Sequence, residues 1–182
     1  MKKLDTVTRI LAKLVEVGHW IAAVSMVVVL VLSLLMGAEV VQNVSLADFG
    51  ASLTTYGFDV AVINSAGQVD LAALRLFCVG SAVVLSLMAM VFRNVHLIMK
   101  RSENHTPFQP DNVRMVREIG IFLIAVPLTG LLFNILLRLI LGVDAVETSE
   151  DLSSLLVGLV VLCLSRIFAR GMELEKDVDG LL

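Results

Sequence analysis

This chain of 182 residues contains few of the residues that usually carry out catalysis or hold metals. Its two cysteines, Cys78 and Cys163, each lie in an apolar run, which argues against the disulfide framework of small secreted domains. The histidines His19, His96 and His105 lack the spacing of a zinc site, which needs three or four ligands. No paired carboxylates, Ser-His-Asp arrangement or phosphate-binding loop is visible in the sequence. We therefore expect neither an enzyme nor a bound cofactor.

Charge is also unevenly distributed along the chain. Lysine and arginine are missing between Lys13 and Arg75, whereas five acidic residues occur there. There is no basic domain, so direct binding of nucleic acid is not expected. The predicted membrane spans given below contain no Asp or Glu, which argues against transport through a relay of carboxylates.

Apolar residues, by contrast, are abundant. They make up 58% of the chain, and the mean hydropathy is +0.92, whereas a soluble domain is nearer 45–50% apolar. Four apolar runs approach the roughly 20 residues that cross about 30 Å of hydrocarbon. They predict transmembrane helices at 20–38, 71–92, 119–141 and 152–169. The expected fold is an all-α integral membrane protein, a single domain (1–182) built as a four-transmembrane-helix bundle in the lipid bilayer.

The segment 1–18 precedes the first predicted span and has amphipathic character. Leu4, Val7 and Leu14 recur at helical spacing, with basic residues between them. This pattern predicts an interfacial helix on the cytoplasmic leaflet. A cleaved signal peptide is the alternative interpretation. The apolar run and the polar segment before it are both longer than is usual in signal peptides, which favours an uncleaved anchor.

The basic segment 93–118 determines the predicted orientation. Short loops rich in Lys and Arg stay on the cytoplasmic side of a membrane. The segments 39–70 and 142–151 are then outer loops, and the tail 170–182 and both termini are cytoplasmic. Within the outer loop, the strand-prone residues 53–63, the turn residues 64–67 and a return at 68–71 predict a small hairpin.

The same basic segment contains the start of a helix. Pro110 is placed at the first helical position, where its missing N–H costs nothing, and Gln109 precedes it as the N-cap. Asp111 lies in the first turn, where the helix dipole favours negative charge. Phe108 and Val113 have the spacing of a hydrophobic staple. We therefore expect a turn at 104–109 and a new helix near Pro110.

Polar residues inside the predicted spans are candidates for function. Arg138 lies near the outer end of the third span, and Asn134 is one turn before it on the same face. Arg75 lies at a similar depth on the second span. Such residues line a cavity and bind an anion, or they reach the headgroups and pair with acids of the outer loops. The sequence leaves both possibilities open.

Two segments resemble a known family. TPFQPDNVRMVREIG, at 106–120, resembles the family's central "PF-x-PENV-x-x-(L/I)-R-x-IG" stretch, and IFARGMELEKDVD, at 167–179, resembles its C-terminal stretch. The family consists of bacterial four-span membrane proteins of unknown function, often encoded beside a Cro/C1-type helix-turn-helix regulator. This chain departs from it at Arg166, where members often have an acid, and in its ending, Gly180-Leu181-Leu182. The resemblance implies a multi-pass protein of the bacterial cytoplasmic membrane.

Two functional hypotheses follow. The first is a non-enzymatic membrane partner or sensor for a cytoplasmic transcriptional regulator, which by resemblance is the helix-turn-helix protein. Its predicted partner surface consists of Phe108, Asn112, Arg114, Arg117 and Gly171. The alternative is a small transporter, or an immunity or resistance protein that binds a hydrophobic or anionic compound. Its predicted ligand pocket consists of Arg75, Asn134 and Arg138. A homo-oligomer is compatible with either, since four short spans enclose little volume.

Overall fold

The computed structural model describes residues 2–35, 52–56, 58–63, 68–102, 109–141 and 153–179. This part of the chain contains four long helices and one small antiparallel sheet. In chain order the elements are α1 (Lys2–Leu35), β1 (Ser52–Thr55), β2 (Phe58–Ala61), α2 (Leu71–Ser102), α3 (Pro110–Leu141) and α4 (Ser153–Asp179). All four helices are long and apolar enough to cross a membrane. The prediction of an all-α membrane protein with four transmembrane helices is therefore confirmed.

The helices are longer than the apolar runs that predict them. At 1.5 Å per residue, α2 and α3 each measure about 48 Å, compared with about 30 Å for the hydrocarbon layer. The N-terminal helix shows the largest difference, because α1 includes both the predicted interfacial segment 1–18 and most of the first span without a break. Its membrane-compatible stretch is Thr6–Leu35.

The predicted start of the third span's helix is confirmed. Pro110 is the first residue of α3. The backbone N–H of Val113 donates to the carbonyl of Gln109 at 3.0 Å, which is the first hydrogen bond expected from an N-cap residue. Phe108, the other half of the predicted staple, lies outside the described residues.

The chain divides into two compact units. The first unit comprises Met1–His19, Leu87–Ala125 and Ser153–Leu182, and the second comprises Trp20–Ser86 and Val126–Leu152. The first therefore contains α4 and one half each of α1, α2 and α3. The second contains the other halves of these three helices together with the hairpin.

In the first unit, α3 and α4 approach each other closely at two glycines. A Cβ atom on Gly120 would lie 2.8 Å from Leu162 and 3.1 Å from the carbonyl oxygen of Gly158. A Cβ atom on Gly158 would lie 2.7 Å from Ile124 and 3.0 Å from the carbonyl oxygen of Gly120. Small residues allow this close packing in membranes, where van der Waals contact drives helix association.

In the second unit, the hairpin packs on one face of α2. The buried core consists of Val60, Val62, Ala73, Leu74, Phe77, Cys78 and Leu137. The α2 members of this core recur at spacings of three and four residues, which places them on one side of the helix. The last member, Leu137, comes from α3, so the core joins the sheet to two helices.

The predicted hairpin is confirmed in part, since Ile63 and Val69 form an antiparallel bridge between the two predicted strands, but an additional turn was not predicted. β1 and β2 pair from Ser52↔Ala61 to Thr55↔Phe58, so the segment expected to form one strand turns back at Tyr56, whose φ is 47°. The predicted return at 68–71 contributes only the bridge Ile63↔Val69.

Asp70 explains why the strand expected at 68–71 does not form. Its Oδ1 atom accepts hydrogen bonds from the backbone N–H groups of Ala72 at 2.9 Å and Ala73 at 3.1 Å. Its own N–H donates to the carbonyl of Val62 at 2.8 Å. Asp70 is therefore the N-cap of α2, and the chain after it is helical.

Candidate functional site

The polar end of the α2–α3 pair, in the first unit, is ordered by an ion pair. Nη1 of Arg101, in the last turn of α2, lies 2.7 Å from Oδ2 of Asp111, in the first turn of α3. The helix dipole stabilises both charges, because a positive charge is favoured at a helix C-terminus and a negative charge at a helix N-terminus. The two side chains are 39% and 66% exposed, so the pair contributes less than about 1 kcal/mol to stability. Its main effect is to hold the two helix ends together.

Glu118 forms a second link between these helices. Nε of Arg114 donates to its Oε1 atom at 2.8 Å, and Nδ2 of Asn94 donates to its Oε2 atom at 3.2 Å. Asn94 is 4% exposed, so this second hydrogen bond joins α2 to α3 within the interior. Both carboxylate oxygens of Glu118 therefore accept a hydrogen bond, one from each helix.

A groove of about 210 Å³ lies between these pairs. It is lined by Arg101, Asp111, Arg114, Met115 and Glu118. Two arginines and two acids face it in paired form, so it carries both signs of charge, and Met115 adds a flexible apolar contact. This lining offers hydrogen bonds, charge and apolar surface to a bound group.

The predicted partner surface is only partly at the surface. Arg114 and Arg117 are exposed, and Gly171 is half-buried on α4. Asn112 is 1% exposed, because it lies on the inward face of α3 beside the buried Val113, so the expectation of a surface role for Asn112 is corrected. Phe108 lies outside the described residues.

In the second unit, Arg75 of the predicted ligand pocket binds the end of α1. Its Nη2 atom donates to the carbonyl of Ser33 at 2.6 Å, and its Nε lies 3.4 Å from the Ser33 hydroxyl. Ser33 is in the last turn of α1, where carbonyls lack partners within the helix and where positive charge is favourable. Asp70, one of the predicted ion-pair partners of Arg75, uses its carboxylate as the N-cap of α2. Arg75 therefore has a clear structural role.

The two other predicted pocket residues lie one turn apart on α3. Arg138 is exposed, whereas Asn134 is 5% exposed. Among the residues that the structure describes, none donates a hydrogen bond to the buried Oδ1 atom of Asn134. The pocket remains a prediction, and Asn134 is its only deeply buried member.

Several polar contacts were missed from the sequence. Glu16, in the predicted interfacial part of α1, is buried and pairs with Lys13 at 3.0 Å. The hydroxyl of Ser81 donates to that of Thr55 at 3.2 Å. The N-cap role of Asp70 was also missed, although an Asp directly before an apolar helix is a common N-cap and could have been recognised from the sequence.

The side-chain contacts described above are hydrogen bonds and ion pairs. Among the described residues, no group of three or more His, Cys, Asp or Glu side chains could hold a metal ion. Comparisons of the chain with protein-family models, with curated proteins and with solved structures give no match.

Proposed function

We propose that this multi-pass membrane protein is a non-enzymatic partner of a cytoplasmic transcriptional regulator, which it binds at the polar end of α2 and α3. The observation that supports the proposal is the groove of about 210 Å³ between the Arg101–Asp111 and Arg114–Glu118 pairs. The pairs favour one arrangement of these side chains before a partner binds, and this reduces the entropy lost on binding.

The proposed orientation places this end in the cytoplasm. The polar ends of α2 and α3 carry the cations Arg93, Lys100, Arg101, Arg114 and Arg117. Such segments remain on the cytoplasmic side, and both termini lie on that side with them. The proposed location is the cytoplasmic membrane of a bacterium, and the resemblance to four-span proteins encoded beside a helix-turn-helix regulator supplies the class of partner.

The composition of the surface suits a protein ligand. Arg114 is 77% exposed although its Nε atom is held by Glu118, so its remaining guanidinium N–H groups face solvent. Arginine and methionine are enriched in protein interfaces. Charges of both signs at the rim favour a partner with complementary charges and raise its rate of association.

Crosslinking in native membranes, followed by purification of the tagged protein and mass spectrometry, tests the proposal. We expect recovery of a DNA-binding protein and a reduction of about tenfold in that recovery for the Arg114→Gln/Arg117→Gln variant. The matched control is Arg138→Gln, the same chemical change at the other end of α3, which should leave recovery unchanged. Recovery of the protein alone, or an equal loss in the control, contradicts the proposal.

A further inference from the structure

The hairpin lies along α2 rather than beyond its end. The carbonyl of Val62 accepts a hydrogen bond from Asp70, just before α2 begins, while Thr55 at the other end of the hairpin contacts Ser81. Ser81 is ten residues beyond Leu71, or about 15 Å along the helix. The hairpin therefore extends beside α2 for about this distance.

From the charges on α2, we expect this part of the helix to lie in the hydrocarbon layer. The uncharged stretch between Arg75 and Arg93 measures about 26 Å at 1.5 Å per residue. This length is slightly less than the roughly 30 Å of hydrocarbon, so all of the stretch is needed to cross it. Ser81, which lies about 9 Å inward of Arg75, is then below the membrane surface together with the end of the hairpin that contacts it.

One face of the hairpin is polar at this depth. Leu53, Thr55 and Val60 face α2 and its core, so the alternation of side chains turns Thr54 and its cross-strand partner Asp59 to the opposite face. Thr54 is exposed. A carboxylate and a hydroxyl cannot face lipid at low cost, and irregular or extended backbone at membrane depth occurs where it is covered by protein or lines water.

Two buried oxygen atoms on described residues of this unit have no hydrogen-bond partner among the residues that the structure describes. No described residue donates a hydrogen bond to the buried Oδ1 atom of Asp59. The same holds for the buried amide oxygen of Asn134, on α3. A water molecule can donate a hydrogen bond to either oxygen, and a cation can also neutralise the Asp59 carboxylate. Arg75 does not supply such a hydrogen bond, because its hydrogen bonds are directed at Ser33 on α1.

We propose that β1 and β2 form a re-entrant hairpin that lines a water-filled vestibule within the outer half of the membrane, and that this vestibule admits small cations in preference to anions. The carboxylate of Asp59 provides the selectivity, and the Thr54–Asp59 face of the hairpin forms the wall. The proposal does not depend on the regulator partner, which would bind the other unit.

Cysteine accessibility tests the position of the hairpin. Thr54→Cys, and separately Tyr56→Cys in case the first variant does not fold, would be introduced with Cys163→Ser, while the buried Cys78 remains. The matched controls are Val79→Cys and Val83→Cys, since both valines are exposed apolar residues of α2 on either side of Ser81. A cationic, membrane-impermeant thiol reagent should modify the hairpin variants from one side of sealed membranes. It should not modify the controls.

A matched anionic reagent tests selectivity. Thr54 and Asp59 are cross-strand partners, so an added thiol lies within about 6 Å of the carboxylate. A unit charge at this distance in water favours the cationic over the anionic reagent by about tenfold in rate. Asp59→Asn should remove this difference.

Two results overturn the proposal. Equal modification of the hairpin variants and the α2 controls would place this entire region outside the bilayer. Unreactive hairpin variants, or equal rates for the two reagents in the presence of Asp59, would show that the hairpin does not line a cation-admitting vestibule.

Discussion

Replacement of Gly158 by alanine provides the sharpest test of the α3–α4 packing. The added Cβ atom would lie 2.7 Å from Ile124 Cγ1, 3.0 Å from Ile124 N and 3.0 Å from the carbonyl oxygen of Gly120. Ordinary contacts of a Cβ atom begin near 3.4 Å. The Ile124 side chain can rotate away, but the two backbone atoms move only if the helices separate by several tenths of an ångström. Overpacking of this kind costs about 1–3 kcal/mol.

An opposing effect must be subtracted. Alanine is favoured over glycine inside a helix by roughly 1 kcal/mol, whatever its surroundings. Gly130, also inside a helix, supplies the control, because a Cβ atom there would meet nothing within 4 Å. Gly130→Ala should therefore stabilise the protein by roughly 0.5–1 kcal/mol, and the difference between the two variants should equal the steric cost of about 1–3 kcal/mol.

The measurement is the free energy of unfolding of the purified protein in detergent. It is compared for Gly120→Ala, Gly158→Ala, the pair of these two changes, and the control Gly130→Ala. Because the two glycines share one contact, their steric costs should not add, with a coupling of at least about 0.5 kcal/mol. If Gly158→Ala stabilised the protein as much as Gly130→Ala does, the close approach of α3 and α4 at this point would be refuted.

Three further predictions concern single hydrogen-bonding groups. Asp70→Ala should destabilise the protein by about 0.5–2 kcal/mol by removing the N-cap of α2, whereas Asp70→Asn should retain most of the stability. Arg75→Ala should cost about 1–3 kcal/mol because the carbonyl of Ser33 loses its donor, and a loss of anion binding without loss of stability would instead favour the ligand-pocket hypothesis. Glu118→Ala should lower stability more than Arg114→Ala, since only Glu118 also binds the buried Asn94, and equal effects in thermal unfolding would contradict this order.

The helices could be predicted because their signals are local. The length of an apolar run is set by the thickness of the hydrocarbon layer, and all four spans were found from this property. The start of α3 could also be predicted, because proline is favoured at the first helical position and an acidic residue is favoured in the first turn. Pro110 and Asp111 occupy these positions.

The remaining features depend on contacts that sequence spacing does not reveal. Asn112 is a polar residue of the kind usually found at the surface, but the packing of α3 buries it. For Arg75 the sequence left an anion site and an ion pair open, and its hydrogen bond to a backbone carbonyl on α1, distant in sequence, was not among these alternatives. The position of the hairpin along α2 could not be predicted, because the hydrogen bond that reports it joins Ser81 to Thr55, 26 residues earlier in the chain.

The hydrogen bond from Arg75 to the end of α1 also has a consequence for synthesis of the chain. The carbonyl of Ser33 is made before Arg75, so during translation it lacks a donor that it later acquires. In lipid, an unsatisfied carbonyl is expensive. The first helix therefore reaches its full stability only when the second has emerged from the ribosome, and the two should enter the membrane as one hairpin. A nascent chain arrested before residue 75 should be extracted from the membrane more easily than one arrested after α2.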